Sequence, residues 1–144
     1  MKPENEVTME FMSRSCNEAF SRAAVGAFIA SLDPTLEELS DIKTAVSEAV
    51  TNCIVHAYPE NAGMIQLSCR IYPERKLEIT VRDQGVGITD VRAAREPLFT
   101  TGGAERSGMG FTIMEKFMTS LQVESQPGRG TCVTMTRKLR SMGR

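Results

Sequence analysis

The sequence predicts an α+β fold, a two-layer sandwich in which a mostly antiparallel sheet carries its helices on one face. Alternating apolar and polar residues, typical of half-buried strands, occur near the start, as a pair in the middle and as a pair at the end. The longest apolar stripe with helical spacing lies between the first strand and the first pair. Because no internal repeat or linker is visible, we expect a single domain over residues 1–144.

The chain is expected to begin with a strand and a helix. Residues 7–11 alternate between apolar and polar, which predicts the strand. The helix is predicted from about Asn17 to Leu32, where Asp33 and Pro34 end it. We expect its core face to consist of apolar residues three and four apart: Phe20, Ala23, Ala24, Ala27 and Phe28.

The second helix has the clearest boundaries of any predicted element. Thr35 followed three residues later by Glu38 is a capping box, which predicts the helix start. The pattern ends near Tyr58 and Pro59, where a turn begins. Its apolar stripe contains Leu39, Ile42, Val46, Ala49, Val50, Cys53 and Ile54.

The remaining chain alternates between strands and short helices. A four-residue link between two alternating runs predicts an antiparallel hairpin. We predict strands at 65–71 and 77–81, a helical piece at 90–95, an unpatterned stretch at 96–110, a helix carrying Phe111 to Met118, strands at 121–125 and 131–137, and a frayed tail from Ser141.

Composition indicates a globular domain of ordinary charge. Of the 144 residues 41% are hydrophobic and 24% are charged, which excludes a disordered chain. The net charge of −1 makes nucleic acid and anionic membranes poor partners. No apolar run approaches the roughly 18 residues of a membrane span. The opening residues lack a continuous apolar stretch, so we expect no signal peptide and a cytoplasmic location.

The cysteines and the histidine indicate no metal site. Cys16, Cys53, Cys69 and Cys132 are widely spaced and never form C-x-x-C, so neither a zinc site nor a redox motif is predicted. We expect each cysteine to pack as a small hydrophobic residue in a reducing compartment. His56, the sole histidine, cannot build a multi-histidine site.

The first of four candidate boxes is the pair Glu48 and Asn52 on the second helix. Residues four apart share a helix face, here one roughly opposite the apolar stripe. Their oxygens are suited to a hard cation, and the carboxylate is suited to accepting a proton from a hydroxyl. A solvated i,i+4 pair explains the same pattern.

The second box, D-x-G-x-G, comprises Asp83, Gly85 and Gly87 and directly follows a predicted strand. Glycine permits close approach of a ligand, and a carboxylate at the strand end can accept a hydrogen bond from an exocyclic amine. A plain strand-ending turn is the alternative. The fourth box, Gly130 and Thr131, offers one hydroxyl to a pocket or is simply a hairpin turn.

The third box, Gly108 and Gly110, lies just before the Phe111 helix. Unpaired N–H groups at a helix start bind anions, and glycines admit phosphate close to them. The preceding glycine-rich run contains Arg106 and is either a lid over a phosphate tail or a surface loop. No Walker A motif occurs, so a nucleotide pocket here would be of another type.

Taken together, the four boxes resemble those of the superfamily that shares the ATP-binding fold of gyrase, heat-shock 90 chaperones, histidine kinases and mismatch-repair ATPases. The resemblance implies a Bergerat-type fold, a magnesium ion held through Asn52, and adenine bound at Asp83. It further implies that these residues bind ATP: Asn52, Asp83, Gly85, Gly87, Thr100, Thr101, Ser107, Gly108, Met109, Gly110 and Thr131.

Three segments, residues 48–58, 97–101 and 105–115, resemble one branch of this superfamily more than the others. They look like the serine-kinase branch that acts as anti-sigma factors, and most like its sporulation anti-sigma F group. The lid between Thr101 and Glu105 is Gly-Gly-Ala, shorter than in relatives and without their lysine. A lysine contact from the lid to phosphate is therefore not expected.

By resemblance, the chain binds ATP and Mg²⁺ and phosphorylates a serine on an anti-anti-sigma partner. In its ATP-bound state it holds a sporulation sigma factor of the F type inactive, and it forms a homodimer, for which pairing of the first strand is a reasonable route. Glu48 and Arg106 take the catalytic roles: Glu48 orients or deprotonates the serine hydroxyl, and Arg106 neutralises the γ-phosphate. Arg22 is implied as a partner contact.

Three alternatives stay open at the level of sequence. They are a stress-response anti-sigma kinase with another sigma factor, a nucleotide-gated binding module without turnover, and a simple ATP hydrolase. Two other classes of the superfamily are disfavoured. A histidine autokinase needs a domain with a phospho-acceptor histidine, which we do not find here, and a gyrase-type ATPase needs a second domain, for which the chain has no room.

Overall fold

An antiparallel sheet of five strands organises the described part of the chain. The computed structural model describes residues 1–88, 90–95 and 110–140. Every neighbouring pair in the order β1-β2-β3-β5-β4 is antiparallel, which confirms the predicted fold class. The strands are β1 (Asn5–Met12), β2 (Met64–Tyr72), β3 (Lys76–Asp83), β4 (Ser120–Gln126) and β5 (Gly130–Lys138).

The helices follow the predicted order. The second one continues beyond its α-helical part through one π-helical turn, Cys53–Ala57, and ends next to Tyr58 as predicted. Stretch 96–109, Thr89 and the tail from Ser141 lie outside the described residues. The helices are α1 (Cys16–Ile29, followed by a 3-10 turn at Ala30–Leu32), α2 (Leu36–Asn52), α3 (Val91–Arg95) and α4 (Gly110–Phe117).

The core lies between one face of the sheet and the helices. Alternate residues of the central strands are buried, for example Ile65 and Leu67 of β2, while their neighbours are more exposed. Ile42 and Val46 of α2 are fully buried on the helical side of this core. The alternating apolar residues of the strands and the apolar stripe of α2 therefore pack together in one apolar layer.

The predicted core face of α1 is wrong. The buried residues are Ser21, Val25 and Ile29, whereas Phe20 is 52% exposed. Ser21 tolerates burial because its hydroxyl donates to the carbonyl of Glu18 at 2.7 Å. Apolar residues occur around most of this helix, so spacing alone did not identify the face that meets α2.

Side-chain hydrogen bonds cap the start of α2 and join α2 and α4 to strand β5. The capping box predicted at Thr35 and Glu38 is confirmed, with bonds of 2.9 and 3.0 Å. Arg137 of β5 contacts Asp41 of α2 at 3.1 Å and also donates to the carbonyl of Phe117, the last residue of α4. In the described part of the chain, no helix is long and apolar enough to cross a membrane.

Candidate functional site

The carboxyl-terminal half of α2 places Glu48 and Asn52 against the start of α4. Both side chains are half-buried. A Cβ atom built on Gly110 would lie 3.1 Å from Asn52 Oδ1 and 3.4 Å from Glu48 Oε1. The pair therefore faces a neighbouring helix terminus, and the alternative of a simply solvated pair does not describe it.

The π-helical turn that extends α2 joins this pair to the second box. Widened turns of this kind occur often at functional sites. The turn begins at Cys53, whose thiol lies 3.4 Å from Asp83 Oδ2 and donates to it. It ends at Ala57, whose carbonyl accepts a 2.9 Å hydrogen bond from Val86 N–H. The first two boxes are thus adjacent in space although they are 31 residues apart from Asn52 to Asp83.

Asp83 is a buried carboxylate at the end of β3, only 5% exposed. Its Oδ1 accepts hydrogen bonds from the N–H groups of Gly85 at 2.9 Å and Thr131 at 3.2 Å. Its Oδ2 accepts the thiol of Cys53. A carboxylate has about four acceptor positions, so these three bonds leave one position for a ligand.

The glycines around Asp83 are required by the packing of the chain against itself. A Cβ atom on Gly85 would lie 2.1 Å from the carbonyl oxygen of Ala57. A Cβ atom on Gly130 would lie 2.2 Å from the carbonyl oxygen of Asp83. The residue type expected for ligand approach is thus already needed for the close approach of two backbone segments.

Hydroxyl groups complete this end of the sheet. Thr131 Oγ1 lies 2.7 Å from Ser125 Oγ, and Ser125 accepts the N–H of Ile88 at 2.7 Å. Tyr58 donates its hydroxyl to the carbonyl of Met64 and accepts the N–H of Gln84, each at 2.7 Å. These bonds tie the loop after Asp83 to two neighbouring segments.

Burial and the Asp83 charge alter the acidity of two neighbours. Burial first, then the nearby Asp83 carboxylate and the hydrogen bond to it, raise the pKa of the Cys53 thiol well above its ordinary value. Burial also raises the pKa of Tyr58, against the opposing hydrogen bond from Gln84. Both groups therefore remain protonated donors toward their acceptors near neutral pH.

Sequence reasoning missed Cys53, Tyr58 and Ser125 as parts of this site. The signal for Cys53 was its position directly after Asn52, but its partner is 30 residues away. The cysteine prediction is confirmed for the buried Cys53 and Cys69 and wrong for the exposed Cys16. Among the described residues no His, Cys, Asp and Glu cluster suited to a metal ion is found.

Two further predicted site residues have other contacts. Arg22 is on α1, where its Nε contacts Glu18, which in turn accepts the Ser47 hydroxyl at 2.7 Å. Gly87, in the loop after Asp83, adopts φ 78° and packs on the backbone at Gln126. The predicted residues outside the described part are Thr100, Thr101, Arg106, Ser107, Gly108 and Met109.

Comparison with known proteins identifies the family of this chain. The family of histidine kinase-like ATPase domains matches residues 17–137. The anti-sigma F factor of Caldanaerobacter subterraneus is 54% identical over 95% of this chain and 96% of its own length. The chain belongs to the anti-sigma F factor family. The anti-sigma F factor of Pasteuria penetrans is 56% identical over 95% of this chain and 93% of its own length.

Solved structures support the same fold for this family member. The RsbU and RsbW domains of a Mycobacterium tuberculosis protein match with a TM-score of 0.70 and 17% identity, over 96% of this chain and 34% of that one. A blue-light activated histidine kinase of Erythrobacter litoralis matches with a TM-score of 0.59 and 28% identity, over 74% of this chain and 32% of that one. The matched family of histidine kinase-like ATPase domains identifies the chain as an ATP-binding, kinase-like domain.

Proposed function

We propose that this anti-sigma F family member is an ATP-dependent protein serine kinase that also inhibits a sigma factor. It binds a sporulation sigma factor of the F type and phosphorylates an anti-anti-sigma protein on serine. The observation that carries the proposal is the junction at Cys53. There, the helix bearing Glu48 and Asn52 is hydrogen-bonded directly to the buried carboxylate of Asp83.

The Asp83 end of the site suits adenine. Three donors from the chain occupy most of the carboxylate and leave one acceptor position on Oδ2. The exocyclic amine of adenine is a hydrogen-bond donor and fits this position. Gly85, Gly87 and Thr131 form the surrounding backbone in this proposal.

The Glu48 and Asn52 end suits magnesium and phosphate. Carboxamide and carboxylate oxygens are ligands that Mg²⁺ accepts, and Asn52 is the residue we assign to it. A bound Mg²⁺ would supply neutralisation of phosphate charge. The start of α4 at Gly110 offers backbone N–H groups toward phosphate. On sequence grounds we add these residues to the ATP site: Thr100, Thr101, Ser107, Gly108 and Met109.

Glu48 and Arg106 are the residues we assign to phosphoryl transfer. Such transfer needs positioning and charge neutralisation more than covalent chemistry. Glu48, one turn before Asn52, orients the incoming serine hydroxyl and accepts its proton. Arg106 neutralises the γ-phosphate.

Two contacts with other chains belong to the same proposal. Arg22 contacts a protein partner, consistent with its 41% exposed side chain on α1. A homodimer forms through β1, which lies at the edge of the sheet and pairs only with β2 within the described part of the chain. An edge strand offers unpaired backbone groups to a second copy.

A phosphoryl-transfer assay tests the proposal. The purified chain is incubated with labelled ATP, Mg²⁺ and an anti-anti-sigma protein, and label on serine is measured by mass spectrometry. Glu48→Gln keeps the size of the side chain but removes the proton acceptor, and we expect at least about a hundredfold slower transfer. The matched control is Glu37→Gln, an exposed residue of the same helix, which should transfer normally.

The contrary outcomes separate the alternatives. Sigma factor binding that requires ATP, without any label on the partner, would favour a nucleotide-gated binding module. If phosphate is released from ATP at the same rate with and without the added partner, a simple ATP hydrolase is favoured. Transfer by Glu48→Gln at the rate of the unaltered chain would remove Glu48 from the mechanism.

A further inference from the structure

A buried thiol faces the carboxylate that we assign to adenine. Cys53 is the first residue of the π-helical turn that continues α2, and it is 5% exposed. Its Sγ lies 3.4 Å from Oδ2 of Asp83 and donates to it. Cys53 also belongs to the apolar core, but filling space in a core does not by itself require contact with a carboxylate.

The two oxygens of Asp83 are held in different ways. Oδ1 accepts two backbone N–H groups, from Gly85 at 2.9 Å and from Thr131 at 3.2 Å. Oδ2 accepts only the thiol of Cys53 among the described residues. Loss of the thiol would therefore leave one of the two oxygens without a donor in this part of the chain.

Two donors to the same oxygen do not fix the plane of a carboxylate. Rotation about the Cβ–Cγ bond of aspartate has broad minima, because this bond joins a tetrahedral carbon to a planar one. A donor at the second oxygen restricts that rotation. The thiol of Cys53 thus determines the direction in which the remaining acceptor position of Oδ2 points.

The backbone that carries the thiol is itself held firmly. The N–H of Cys53 is shared between the carbonyl groups of Ala49 and Val50, two buried residues of the preceding helix turn. At the other end of the π-helical turn, the carbonyl of Ala57 accepts a backbone N–H from the loop after Asp83. The turn and the carboxylate are therefore joined on both sides of the thiol.

The thiol can share Oδ2 with a ligand. One carboxylate oxygen has about two acceptor positions, and a thiol is a weak donor that occupies one of them. The other position is open to a second donor, such as the exocyclic amine of adenine. Cys53 therefore orients the oxygen without blocking it.

We propose that Cys53 is a positioning residue for base recognition, whose thiol orients Oδ2 of Asp83 toward the exocyclic amine of adenine. The inference rests on the proposed function, because it concerns the acceptor assigned to adenine there. Cys53 acts through the carboxylate and does not itself touch the nucleotide. Its loss should therefore weaken the discrimination between bases with and without the amine.

The test compares ATP with the triphosphate of purine riboside, whose base lacks the exocyclic amine. The Kd of each nucleotide for the full chain is measured by calorimetry with Mg²⁺ present. Cys53→Ala removes the donor, and we expect the Kd of ATP to rise about fivefold and that of the purine nucleotide less than about twofold.

Two further variants separate the donor from the packing. Cys53→Ser restores a donor of similar size and should return the Kd of ATP to within about twofold of the unaltered chain. Cys69→Ala removes another buried thiol, from β2, and is the matched control. It should leave the Kd of both nucleotides unchanged.

An infrared measurement tests the same contact in the unaltered chain. A hydrogen-bonded S–H group has a lower stretching frequency than a free one, and Cys53 donates to a carboxylate. We expect ATP to shift this band, because the amine adds a second donor to the same oxygen, whereas the purine nucleotide should leave it in place. A band that responds equally to both nucleotides would contradict the proposal.

The binding outcomes separate this inference from the proposed function. If Cys53→Ala weakens both nucleotides equally, or Cys53→Ser binds no better than Cys53→Ala, the thiol serves packing; the inference is then wrong and the ATP site stands. If the unaltered chain binds both nucleotides equally well, the amine contact at Asp83 and this inference fail together. If the unaltered chain binds neither nucleotide, the proposed function itself fails.

Discussion

The two ends of the candidate ATP site are built in different ways. At the base end, Asp83 is held by two backbone N–H groups and a thiol, and the flanking glycines are in contact with backbone atoms. At the phosphate end, Glu48 and Asn52 are half-buried side chains that meet the start of α4 at Gly110. The proposed base-binding end is thus fixed by backbone contacts of the fold, whereas the proposed phosphate end depends on side chains that can adjust.

This difference separates what each end contributes. Changes at the base end should disturb nucleotide binding and folding together, because the same backbone contacts serve both. Changes at the phosphate end should affect binding and catalysis while leaving the stability nearly unaltered. The four predictions below test that separation, beginning with the largest effect.

Replacing the base-end carboxylate should have the largest effect. Asp83→Asn substitutes an N–H donor for one acceptor in a pocket that already contains three donors. We expect ATP affinity to fall about a hundredfold, since hydrogen bonds to a charged group contribute roughly 1.5–3 kcal/mol. Titration with ATP, with and without Mg²⁺, measures this. Asp33→Asn, at an exposed left-handed position that asparagine tolerates, is the control.

Adding a methyl group at each end compares the two directly. In Gly85→Ala the new atom meets the Ala57 carbonyl, a backbone group that cannot move away easily. We expect the free energy of unfolding to fall by about 2 kcal/mol. In Gly110→Ala the nearest atoms to the methyl group belong to the side chains of Asn52 and Glu48, which can shift, and we expect a smaller loss of about 0.5 kcal/mol. The free energy of unfolding of both variants is measured in urea. Equal losses in the two variants would contradict the distinction between the Asp83 end and the Asn52 end of the site.

Removing the proposed magnesium ligand should act only when the metal is present. Asn52→Ala is expected to lower ATP affinity about tenfold in Mg²⁺, equivalent to about 1.4 kcal/mol, and to leave it nearly unchanged in a chelator. Asp83→Asn should lower affinity in both conditions. Asn61→Ala, at an exposed loop position, is the control. An equal loss with and without Mg²⁺ would assign Asn52 to the nucleotide rather than to the metal.

Local sequence signals predicted most of the fold. The capping box at Thr35 and Glu38 was predictable because its two partners are three residues apart and belong to one helix turn. The strands were predictable because period-2 alternation survives wherever one sheet face is buried. The core face of α1 was not, because apolar residues occur on both sides of that helix and a buried serine replaces one of them.

The site was predictable as a set of residue types but not as a geometry. The boxes identified Asn52 and Asp83, but nothing in the spacing indicated that a π-helical turn places Cys53 between them. The glycines were singled out for the approach of a ligand, whereas Gly85 packs against Ala57, 28 residues away. Such contacts depend on how distant segments meet, which a single sequence does not reveal.

The smallest effect should come from a change in the first turn of α2, at the end of this helix that is far from Glu48 and Asn52. Glu38 Oε1 accepts the N–H of Thr35 at 2.9 Å, and Oε2 accepts the N–H of Arg140 at 2.8 Å. Glu38→Gln retains one acceptor, so one of these two part-buried hydrogen bonds is lost. We expect unfolding to become easier by about 1 kcal/mol near neutral pH, with ATP affinity unchanged. Glu37→Gln, exposed in the same turn, is the control.

The pH dependence of that loss identifies the charged carboxylate as its cause. Burial alone would raise the pKa of Glu38, but hydrogen bonds from Arg140 and Thr35 outweigh it and lower the pKa from its ordinary 4.5. A depressed pKa stabilises the fold above the unfolded value, and this contribution is lost as the pH falls through the folded value. The difference in unfolding free energy between the unaltered chain and Glu38→Gln should therefore be constant near neutral pH and narrow below 4.5. A difference that stays constant into that acidic range would assign the loss to altered packing, not to the charge.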